Sequence, residues 1–532
     1  MKHAFPLSCF FISLFSFINA QPILFQNGYG GIADDMFKKA IATSSGDIVA
    51  VGSTKSFGAG NWDILLTKLD TAGELLWTKT LGTTGMELGN HIASASDGGY
   101  IIAGTTNGFA MNNDDDALVV KTDSLGNVQW AITYGDTFPD VARFVKETND
   151  GNYLIAGTIQ SLLPNTYWDN MLLLKINTNG NMLWGKHMGN QYSDAYDLAE
   201  LPTGDIIIAG AQINSYTPGN VDMDGDLIRM SPSGNLLWQK HYGGTKDDGL
   251  YSCVFSGNNF LFAAGVTENF GAGGADIYVV QSDITGVLIN SFTYGTSGND
   301  YAYDIIQTPD SNYLIAGTTD YFSGNFSPLL LKINSSGALL WSKTLGSTST
   351  DIIYSGDVTN NNQLILSGYS NGMSGNGDMS GYLLKLDSTG SSDCPFSSIQ
   401  IDTSSNNIKF NLSLNFDSLS FLPVFRTLSV SSPLLDLYNS CGTNIHESEF
   451  NTNFNIYPNP CNGNFSLLSE NNIQGKCELE IIDINGKIVK QTHISNTSSS
   501  YHNVSELQNG LFFCRVLKDD KYIWSTKLSI VK

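Results

Sequence analysis

A repeat of about 52 residues runs through most of this 532-residue chain and constrains its fold more than any other feature. In each copy a glycine closes an apolar stretch, as in the segments YIIAGTT, YLIAGTI and YLIAGTT. Seven copies of this glycine are present: Gly52, Gly104, Gly157, Gly210, Gly265, Gly317 and Gly368. A single unit of this kind cannot bury its apolar faces alone, so the period predicts units that stack on one another.

A second glycine in each copy predicts a tight turn between two strands. It follows an aspartate, asparagine or serine by three residues, as in DSLG, Asp123 to Gly126. The first residue of such a turn accepts backbone hydrogen bonds, and glycine at the fourth position adopts the left-handed conformation. The series is Gly73, Gly126, Gly180, Gly234, Gly286, Gly337 and Gly390.

Tryptophans and acids recur at fixed distances from these turns. We expect the tryptophans to act as wedges between neighbouring units, with their indole nitrogens hydrogen-bonded at the rim. They are Trp77, Trp130, Trp184, Trp238 and Trp341. The repeated acidic residues could form a ring of catalytic carboxylates. A residue that is needed in every unit, however, is better explained by a structural role, in which its carboxylate holds a turn or caps a strand. The acidic residues are Asp35, Glu87, Asp140, Asp194, Asp248, Asp300 and Asp351.

Each unit contains about four short strands, for example near 300 to 308, 312 to 319, 328 to 334 and 338 to 345. Strands such as YLIAG are apolar on successive residues, which indicates a sheet that is covered on both faces. No helical periodicity is found. We therefore predict an all-β fold with a seven-bladed β-propeller over residues 21 to 393.

The N-terminal segment predicts how the repeat closes. Residues 23 to 30 (ILFQNGYG) match the tryptophan strand LLWSKTLG, with Phe25 at the position of Trp341, yet they precede the first complete unit. The seventh unit lacks a good fourth strand after Gly390. We expect residues 23 to 30 to pair with the strand at 382 to 387, which would remove two free sheet edges.

Residues 1 to 20 have a basic start, an apolar run from Phe10 to Phe17 and Ala20 before Gln21, which is typical of a secretory signal peptide. No later segment is long and apolar enough to span a membrane. The formal net charge of −23 disfavours nucleic-acid binding. We expect a secreted protein.

Six cysteines remain after such a cleavage: Cys253, Cys394, Cys441, Cys461, Cys477 and Cys514. Their wide spacing outside the cytoplasm favours disulfides over zinc ligands, and Cys394 with Cys441 is one candidate pair. The sequence does not determine the connectivity.

The repeat ends after Pro395, and residues 394 to 450 predict a β-rich connector with alternating stretches such as IKFNLSLNF. From about Asn453 the chain resembles the C-terminal sorting domain (type A) of the bacterial type IX secretion system. The similarity is carried by FNIYPNPCNGNFSL, by CELEIIDINGKIV and by VSELQNGLFFCRVLKDDKYIWSTKLSIVK. It covers about 80 residues, and its strands and turns are those of a small immunoglobulin-like sandwich over residues 451 to 532.

The resemblance implies an export route and one partner. Proteins of this family cross the inner membrane by a signal peptide and the outer membrane by recognition of the C-terminal sandwich, which is then commonly cleaved or used for surface attachment. The type IX secretion machinery is therefore an expected partner. An ordinary accessory sandwich that binds a glycan or a protein is the alternative. The repeat region resembles uncharacterised bacterial repeat families often joined to this domain, which implies a shape but no ligand.

One acidic segment is a candidate metal site. Asp222, Asp224 and Asp226 alternate in NVDMDGDL, and in a loop this spacing lets several oxygens face one calcium ion. The glutamate that ends an EF-hand loop is absent, and a solvated acidic loop is the alternative. No catalytic residue and no other cofactor are predicted, because no HExxH or GxSxG motif occurs.

These observations favour a non-enzymatic binding or adhesion scaffold for a glycan or protein, secreted or displayed at the cell surface. The segments that differ most between copies, 160 to 169, 211 to 225 and 370 to 380, are predicted loops that would form one ligand-binding face. The alternative is an exported polysaccharide hydrolase or lyase that uses carboxylates of the propeller channel.

Overall fold

In the computed structural model, every named element is a β-strand. The described residues are 24–109, 114–135, 137–163, 166–189, 192–217, 220–321, 324–344, 349–373, 377–392, 397–398, 402–405, 416–419, 424–426, 429–431, 436–439, 454–457, 461–469, 477–482, 487–494, 499–518 and 521–531. The predicted signal peptide lies outside them. The chain divides into two compact units, Met1–Cys441 and Gly442–Lys532.

The first unit contains seven antiparallel sheets, each with a core of four strands, in a β-propeller-like repeat arrangement. Sheet one is β2 (Asp35–Ala42), β3 (Ile48–Thr54), β4 (Asp63–Leu69) and β5 (Leu75–Gly82). Sheet two is β6 (Glu87–Ser94), β7 (Tyr100–Thr106), β8 (Asp116–Thr122) and β9 (Val128–Tyr134). Sheet three is β10 (Asp140–Glu147), β11 (Tyr153–Leu163), β12 (Thr166–Ile176) and β13 (Met182–Met188). Sheet four is β14 (Ser193–Glu200), β15 (Ile206–Thr217), β16 (Asn220–Met230) and β17 (Leu236–Tyr242). Sheet five is β18 (Asp248–Phe255), β19 (Phe260–Thr267), β20 (Asp276–Asp283) and β21 (Leu288–Gly295). Sheet six is β22 (Asp300–Gln307), β23 (Tyr313–Thr319), β24 (Ser327–Ile333) and β25 (Leu339–Thr344). Sheet seven is β26 (Asp351–Val358), β27 (Leu364–Ser370), β28 (Ser380–Leu386) and β1 (Phe25–Gly30).

The two middle strands of each sheet are buried on both faces, as their unbroken apolar sequences predict. All seven residues of β7 and all seven of β8 are buried. Alternate residues of these strands belong to different cores, since Ile101 packs with residues of sheet three and Ile102 with residues of sheet one. Each sheet is therefore covered by its neighbours on both faces, so the apolar side chains on both faces of the middle strands are buried.

The N-terminal strand supplies the fourth strand of sheet seven, in the pairing expected from the sequence. β1 is antiparallel to β28, with Phe25 opposite Lys385 and Tyr29 opposite Gly381. Phe25 and Tyr29 share a core with Leu65 of sheet one and Leu383 of sheet seven. The first and last sheets are thus in direct contact.

The turn glycines have two separate reasons to be glycine. All seven adopt a positive φ, between 71° and 84°, which confirms the left-handed turn. A Cβ added at any of them would also meet an aromatic side chain of the sheet before it. The contacts are Gly73 with Phe25, Gly126 with Trp77, Gly180 with Trp130 and more closely with Ile132, Gly234 with Trp184, Gly286 with Trp238, Gly337 with Phe292 and Gly390 with Trp341.

The tryptophans are the predicted wedges between sheets. Trp130 donates its indole N–H to the carbonyl of Thr178, 3.1 Å away in the turn of the next sheet. Trp184 and Trp238 donate in the same way to the turn carbonyls of Pro232 and Ile284, at 3.2 and 3.0 Å. The aromatic ring covers the turn glycine while the indole nitrogen is satisfied at the rim.

The predicted connector contributes strands to the seven sheets. Its described strands, which we call the belt, are β29 (Ser397–Ser398), β30 (Asp402–Ser405), β31 (Phe416–Leu419), β32 (Val424–Arg426), β33 (Ser429–Ser431) and β34 (Asp436–Asn439). Each pairs antiparallel with the outermost strand of one sheet, in the order six, five, three, two, one and seven. Within the described residues, sheet four alone has no fifth strand. The belt therefore covers six sheet edges that would otherwise carry unpaired N–H and C=O groups.

The second unit has two sheets. One is β35 (Phe454–Tyr457), β36 (Asn464–Ser469) and β39 (Ser499–Asn503), and the other is β37 (Cys477–Ile482), β38 (Ile488–Ile494), β40 (Gly510–Lys518) and β41 (Lys521–Ile530). Phe465 and Leu467 of the first sheet pack with Leu479, Val516 and Leu528 of the second in a single core.

The four described cysteines, Cys253, Cys461, Cys477 and Cys514, are buried and form no disulfide. This corrects the expectation of disulfides for these four residues, since each occupies an apolar core as a small hydrophobic side chain. The candidate pair Cys394 and Cys441 lies outside the described residues.

Candidate functional site: a ring of bulge residues around a central cavity

The first strand of every sheet contains a β-bulge at the same position. The strand register shifts there, for example between Phe37 and Lys39 in β2 and between Ala302 and Asp304 in β22. The residue inside each bulge drops out of the ladder, which re-aims its side chain. The seven bulge residues are Lys38, Asn90, Arg143, Tyr196, Tyr251, Tyr303 and Tyr354.

All seven bulge residues line one cavity of about 880 Å³, which we call the central cavity. The first strands of all seven sheets contribute to its wall, and each bulge residue is half-buried. Such a volume is typical of small-molecule sites, which range over roughly 300–1,000 Å³. The bulge residues divide into a polar arc from sheets one to three and a tyrosine arc from sheets four to seven.

The tyrosine arc is a continuous series of ring contacts. Tyr196 and Tyr251 meet edge to face with centroids 5.0 Å apart, and Tyr251 stacks on Tyr303 at 6.5 Å. Tyr303 contacts Tyr354 at 5.5 Å and stacks on Tyr301 at 6.5 Å. The arc places several half-buried tyrosine rings at the wall of the cavity, which suits ligand binding.

Cations adjoin both ends of the tyrosine arc. Lys38 Nζ lies 3.5 Å from the centroid of Tyr354, and Arg143 Cζ lies 5.3 Å from that of Tyr196, so both make cation–π contacts. Asn90, between them in sheet order, donates to the carbonyl of Ala142 at 2.9 Å. Burial lowers the pKa of Lys38 to about 8, and repulsion from Arg143 adds to this shift.

A second layer of cavity residues, one position after each bulge, joins neighbouring sheets. Asp197 accepts hydrogen bonds from the backbone N–H of Cys253 at 2.9 Å and from Ser252 Oγ at 2.7 Å. Asp304 accepts from the N–H of Gly356 and from Lys39 Nζ, both at 2.9 Å. These carboxylates accept hydrogen bonds from backbone N–H groups of the next sheet, which indicates a structural role.

The electrostatics of this layer follow from burial. Burial raises the pKa of Asp197 to about 6, with the nearby Asp304 as the second cause. Burial also lowers the pKa of His91 well below its usual range, and Lys39 adds to that effect. Lys39 itself has a raised pKa: burial opposes its charge, but Asp304 and Asp357 outweigh the burial.

The repeated acids hold turns at the rim, as predicted. Glu87 accepts from the N–H of Thr83 at 2.6 Å and from the hydroxyls of Thr83 and Thr106, both at 2.7 Å. Asp300 accepts from the N–H of Thr296 at 2.6 Å, and Asp248 from that of Gly244 at 2.7 Å. These carboxylates cap the turn that leads into each first strand.

Sheet four departs from the pattern that the sequence shows. Ser193 occupies the acid position, opposite Gln212, and donates to the carbonyl of Met188 at 3.0 Å. The acid of the series, Asp194, lies one residue further along and pairs loosely with Arg143 Nη2 at 3.4 Å. Ser193 follows Gly189 by four residues, whereas the acid that begins the first strand of the other sheets follows its glycine by five, as Asp248 follows Gly243. The spacing that holds in the sequence therefore does not hold in the strand register.

Asp222, Asp224 and Asp226 lie on the buried strand β16, which corrects the expectation of a loop. Asp226 pairs with His241 Nδ1 at 2.5 Å and accepts from Gln239 Nε2 at 2.9 Å. Burial raises the pKa of Asp224 to about 7, with Asp222 and Asp248 as further causes. Other sheets have leucine or tyrosine where Asp226 stands, for example Leu118 of sheet two and Tyr278 of sheet five, both opposite a threonine.

Within the described part of the chain, no group of three or more His, Cys, Asp or Glu side chains is arranged to hold a metal ion. Calcium binding by Asp222, Asp224 and Asp226 stays a prediction.

Two of the three segments expected to be variable loops are strand extensions. Residues 160 to 169 and 211 to 225 fall largely within β11, β12, β15 and β16, which reach 11 or 12 residues against 7 or 8 in other sheets. The third segment, 370 to 380, connects β27 to β28, and its described residues there are mostly turns and bends. Sheets three and four thus carry long hairpins where we expected loops.

Sequence reasoning missed the bulge residues, although a signal was present. In six sheets the bulge residue stands three positions after the repeated acid, as Tyr251, Tyr303 and Tyr354 do after Asp248, Asp300 and Asp351. The seven residues are of four types, with tyrosine in four of the sheets, so a search for one residue shared by every copy does not find them. Their position is regular, but their chemistry is not.

Comparison with known proteins identifies the second unit. A family model described as "Secretion system C-terminal sorting domain" matches residues 455–532. This domain indicates export by the type IX secretion system to the cell surface or the extracellular space, and it implies interaction with that machinery. The described residues contain no helix long and apolar enough to cross a membrane.

The chain also has more distant relatives. A segment of 177 residues is 28% identical to the regulatory protein FlaEY of Caulobacter vibrioides and covers 29% of this chain and 18% of that protein. A protein of unknown function from Dyadobacter fermentans aligns with 69% of this chain and 100% of its own, at 11% identity and a TM-score of 0.36. Sqt1 from Chaetomium thermophilum aligns with 68% of this chain and 98% of its own, at 10% identity and a TM-score of 0.37.

Proposed function

We propose that this exported chain is a non-enzymatic binding protein whose seven sheets close into a seven-bladed β-propeller. Its ligand is a glycan or a protein, and its binding site is the central cavity. Contacts between β1 of sheet seven and sheet one, including the hydrogen bond from Tyr29 Oη to the carbonyl of Gly73 at 2.6 Å, support closure of the ring.

The ring of seven bulge residues carries this proposal. The fold repeats one bulge seven times and fills it with a lysine, an asparagine, an arginine and four tyrosines. Side chains needed only for stability would be expected to recur, as the turn glycines do. Unlike residues at equivalent positions around one cavity are what a specific binding site requires.

The alternative, a hydrolase or lyase with channel carboxylates, has a candidate pair in Asp197 and Asp304. The hydroxyl of Ser252 donates to both, at 2.7 and 3.0 Å. A general base needs a lone pair free for the substrate proton, whereas these two accept several backbone N–H groups and the Lys39 ammonium. Their present bonding favours a structural role.

A binding and degradation screen separates these functions. Three proteins are compared: the full chain, the variant Tyr251→Leu, and a variant that lacks residues 162 to 167 and so has a shorter hairpin in sheet three. Each is tested for binding on a glycan array and for degradation of soluble polysaccharides. We expect Tyr251→Leu to abolish binding and the shortened hairpin to retain it. The reverse result would move the site to the hairpin face, and the appearance of shortened polysaccharide products would support the enzyme.

A further inference from the structure

We propose that the central cavity recognises an acidic sugar, with the carboxylate bound at the polar arc and the sugar ring packed on the tyrosine arc. This inference rests on the proposed function, because it names the ligand class of the same cavity. It commits to a carboxylate-bearing glycan and leaves acidic peptides as an outcome of the test.

Lys38 is the first argument for an anion. Among the described residues it forms no ion pair, and its ammonium is held only over the ring of Tyr354. No acid contributes to its electrostatic environment, in which burial and Arg143 both oppose its charge. A half-buried cation without an anionic partner gains the most from a ligand that brings one.

Arg143 is the second argument, because it repeats the cation at the other end of the polar arc. Its Nε donates to Thr158 Oγ1 at 3.1 Å, and its Nη2 pairs only loosely with Asp194 at 3.4 Å. Lys38 and Arg143 are close enough to repel each other across the polar arc. One carboxylate bound to both would remove this repulsion and could form a bidentate pair with the guanidinium.

The acids deeper in the cavity do not already neutralise these cations. Asp304 is paired with Lys39 at 2.9 Å. Asp197 accepts from Ser252 and from two backbone N–H groups, and Asp357 accepts from the N–H groups of Ala42 and Val358. The second layer is therefore satisfied internally, Arg143 has one loose ion pair with Asp194, and Lys38 has no acid paired with it among the described residues.

The tyrosine arc favours a sugar as the body of the ligand. Its rings give flat apolar faces next to hydroxyl groups, which match the alternating C–H and hydroxyl surfaces of a pyranose. Tyr303 lies between two further tyrosines at the same 6.5 Å spacing, Tyr251 and Tyr301, so the aromatic surface extends beyond one ring. The cavity volume of about 880 Å³ leaves room for more than the carboxylate alone.

The test uses the full chain and matched pairs of oligosaccharides that differ only in one group, a glucuronic acid against a glucose at the chain end. Affinities are measured by calorimetry for the wild type, Lys38→Gln, Lys38→Arg and Arg143→Gln. We expect the acidic member of each pair to bind more tightly, and both glutamine variants to lose roughly tenfold or more in affinity for it. Lys38→Arg, which keeps the charge, should retain most of the affinity, and added salt should weaken acidic binding.

Lys343→Gln is the matched control. Lys343 also lies over an aromatic ring, 5.6 Å from the centroid of Trp341, and donates to Ser391 Oγ, but it lies on β25 away from the cavity. Its replacement should leave the affinity for both sugars unchanged.

The outcomes separate the two proposals. Equal binding of acidic and neutral sugars that Tyr251→Leu abolishes would overturn the acidic ligand and keep the cavity as a binding site. Tighter binding of a glutamate-rich peptide than of the acidic sugar would also overturn it. If no probe binds and Tyr251→Leu changes nothing, the proposed function itself fails.

Discussion

Single glycines and carboxylates determine the conformation of the repeated turns in this protein. The turn glycine must adopt a positive φ and must also leave space for an aromatic ring of the preceding sheet. The rim carboxylate takes up N–H groups that a sharp turn leaves unpaired, as Glu87 does for Thr83. Both roles are local, and for this reason the residues recur at nearly constant spacing in the sequence.

Two glycine substitutions separate the backbone effect from the packing effect. Gly234 and Gly257 have φ values of 75° and 77°, but a Cβ at Gly234 would lie 3.0 Å from Trp184, and at Gly257 it would meet nothing within 4 Å. We expect Gly257→Ala to cost about 1–2 kcal/mol from backbone strain and Gly234→Ala to cost clearly more. Urea unfolding measures both, and equal losses would show that the aromatic contact adds nothing.

Asp197 gives the protein a dependence on pH. Its pKa in the folded chain is about 6, above the usual value of 3.8, because of burial and Asp304. The folded state then holds this proton more tightly than the unfolded state, so stability falls as the pH rises from about 4 to 6 and levels off above. We expect the loss between pH 4.5 and 7 to be smaller in Asp197→Asn by up to roughly 2 kcal/mol. Unfolding curves at the two pH values check this, and an unchanged difference would contradict it.

At the scale of elements, the belt is the feature that connects distant parts of the first unit. Six short strands between residues 397 and 439 pair with the outer edges of six sheets. Their sequence shows only short alternating stretches, because a fifth strand at an edge needs backbone pairing and little else. The sequence predicts that the segment is β-rich but does not reveal its partners, which lie up to about 400 residues away, as in the pairing of β34 with β1.

Removal of the belt should weaken the first unit more than removal of the second unit does. A chain that ends at residue 392 exposes six sheet edges, whereas a chain that ends at residue 441 keeps them covered. We expect the shorter chain to melt several degrees lower and to aggregate at lower protein concentration. Thermal unfolding and light scattering compare the two, and identical behaviour would mean that the belt contributes no stability.

At the scale of the whole molecule, the N-terminal strand makes the same contacts as strands inside the repeat. The hydroxyl of Tyr29 donates to the carbonyl of Gly73, as Tyr134 does to Gly180 and Tyr242 to Gly286. One hydrogen bond therefore recurs between sheets two and three, between sheets four and five, and between the last sheet and the first. In the other six sheets the fourth strand follows the third strand directly in the chain. In sheet seven the N-terminal strand β1 takes this place.

The contribution of this strand can be compared with that of an internal one. Tyr29→Phe and Tyr242→Phe each remove one buried hydroxyl at the same structural position and should each cost about 1–2 kcal/mol. The exposed Tyr501 offers the control Tyr501→Phe, which should cost nothing measurable. Urea unfolding provides the values, and a much smaller loss at Tyr29 than at Tyr242 would show that the last and first sheets are held together differently.

The sequence alone determined the features that depend on neighbours along the chain: the strands, the turn glycines, the capping acids, the aromatic wedges and the sorting domain at residues 455–532. Local hydrogen bonding and backbone conformation require particular residue types at fixed short spacings. Because the repeat occurs seven times, these spacings can be recognised in the sequence. Only the tertiary structure decided which residues meet at the centre, that Asp224 and Asp226 are buried in a strand, and that the connector forms the belt. These features depend on contacts between residues far apart in the chain, for which no local rule of spacing exists.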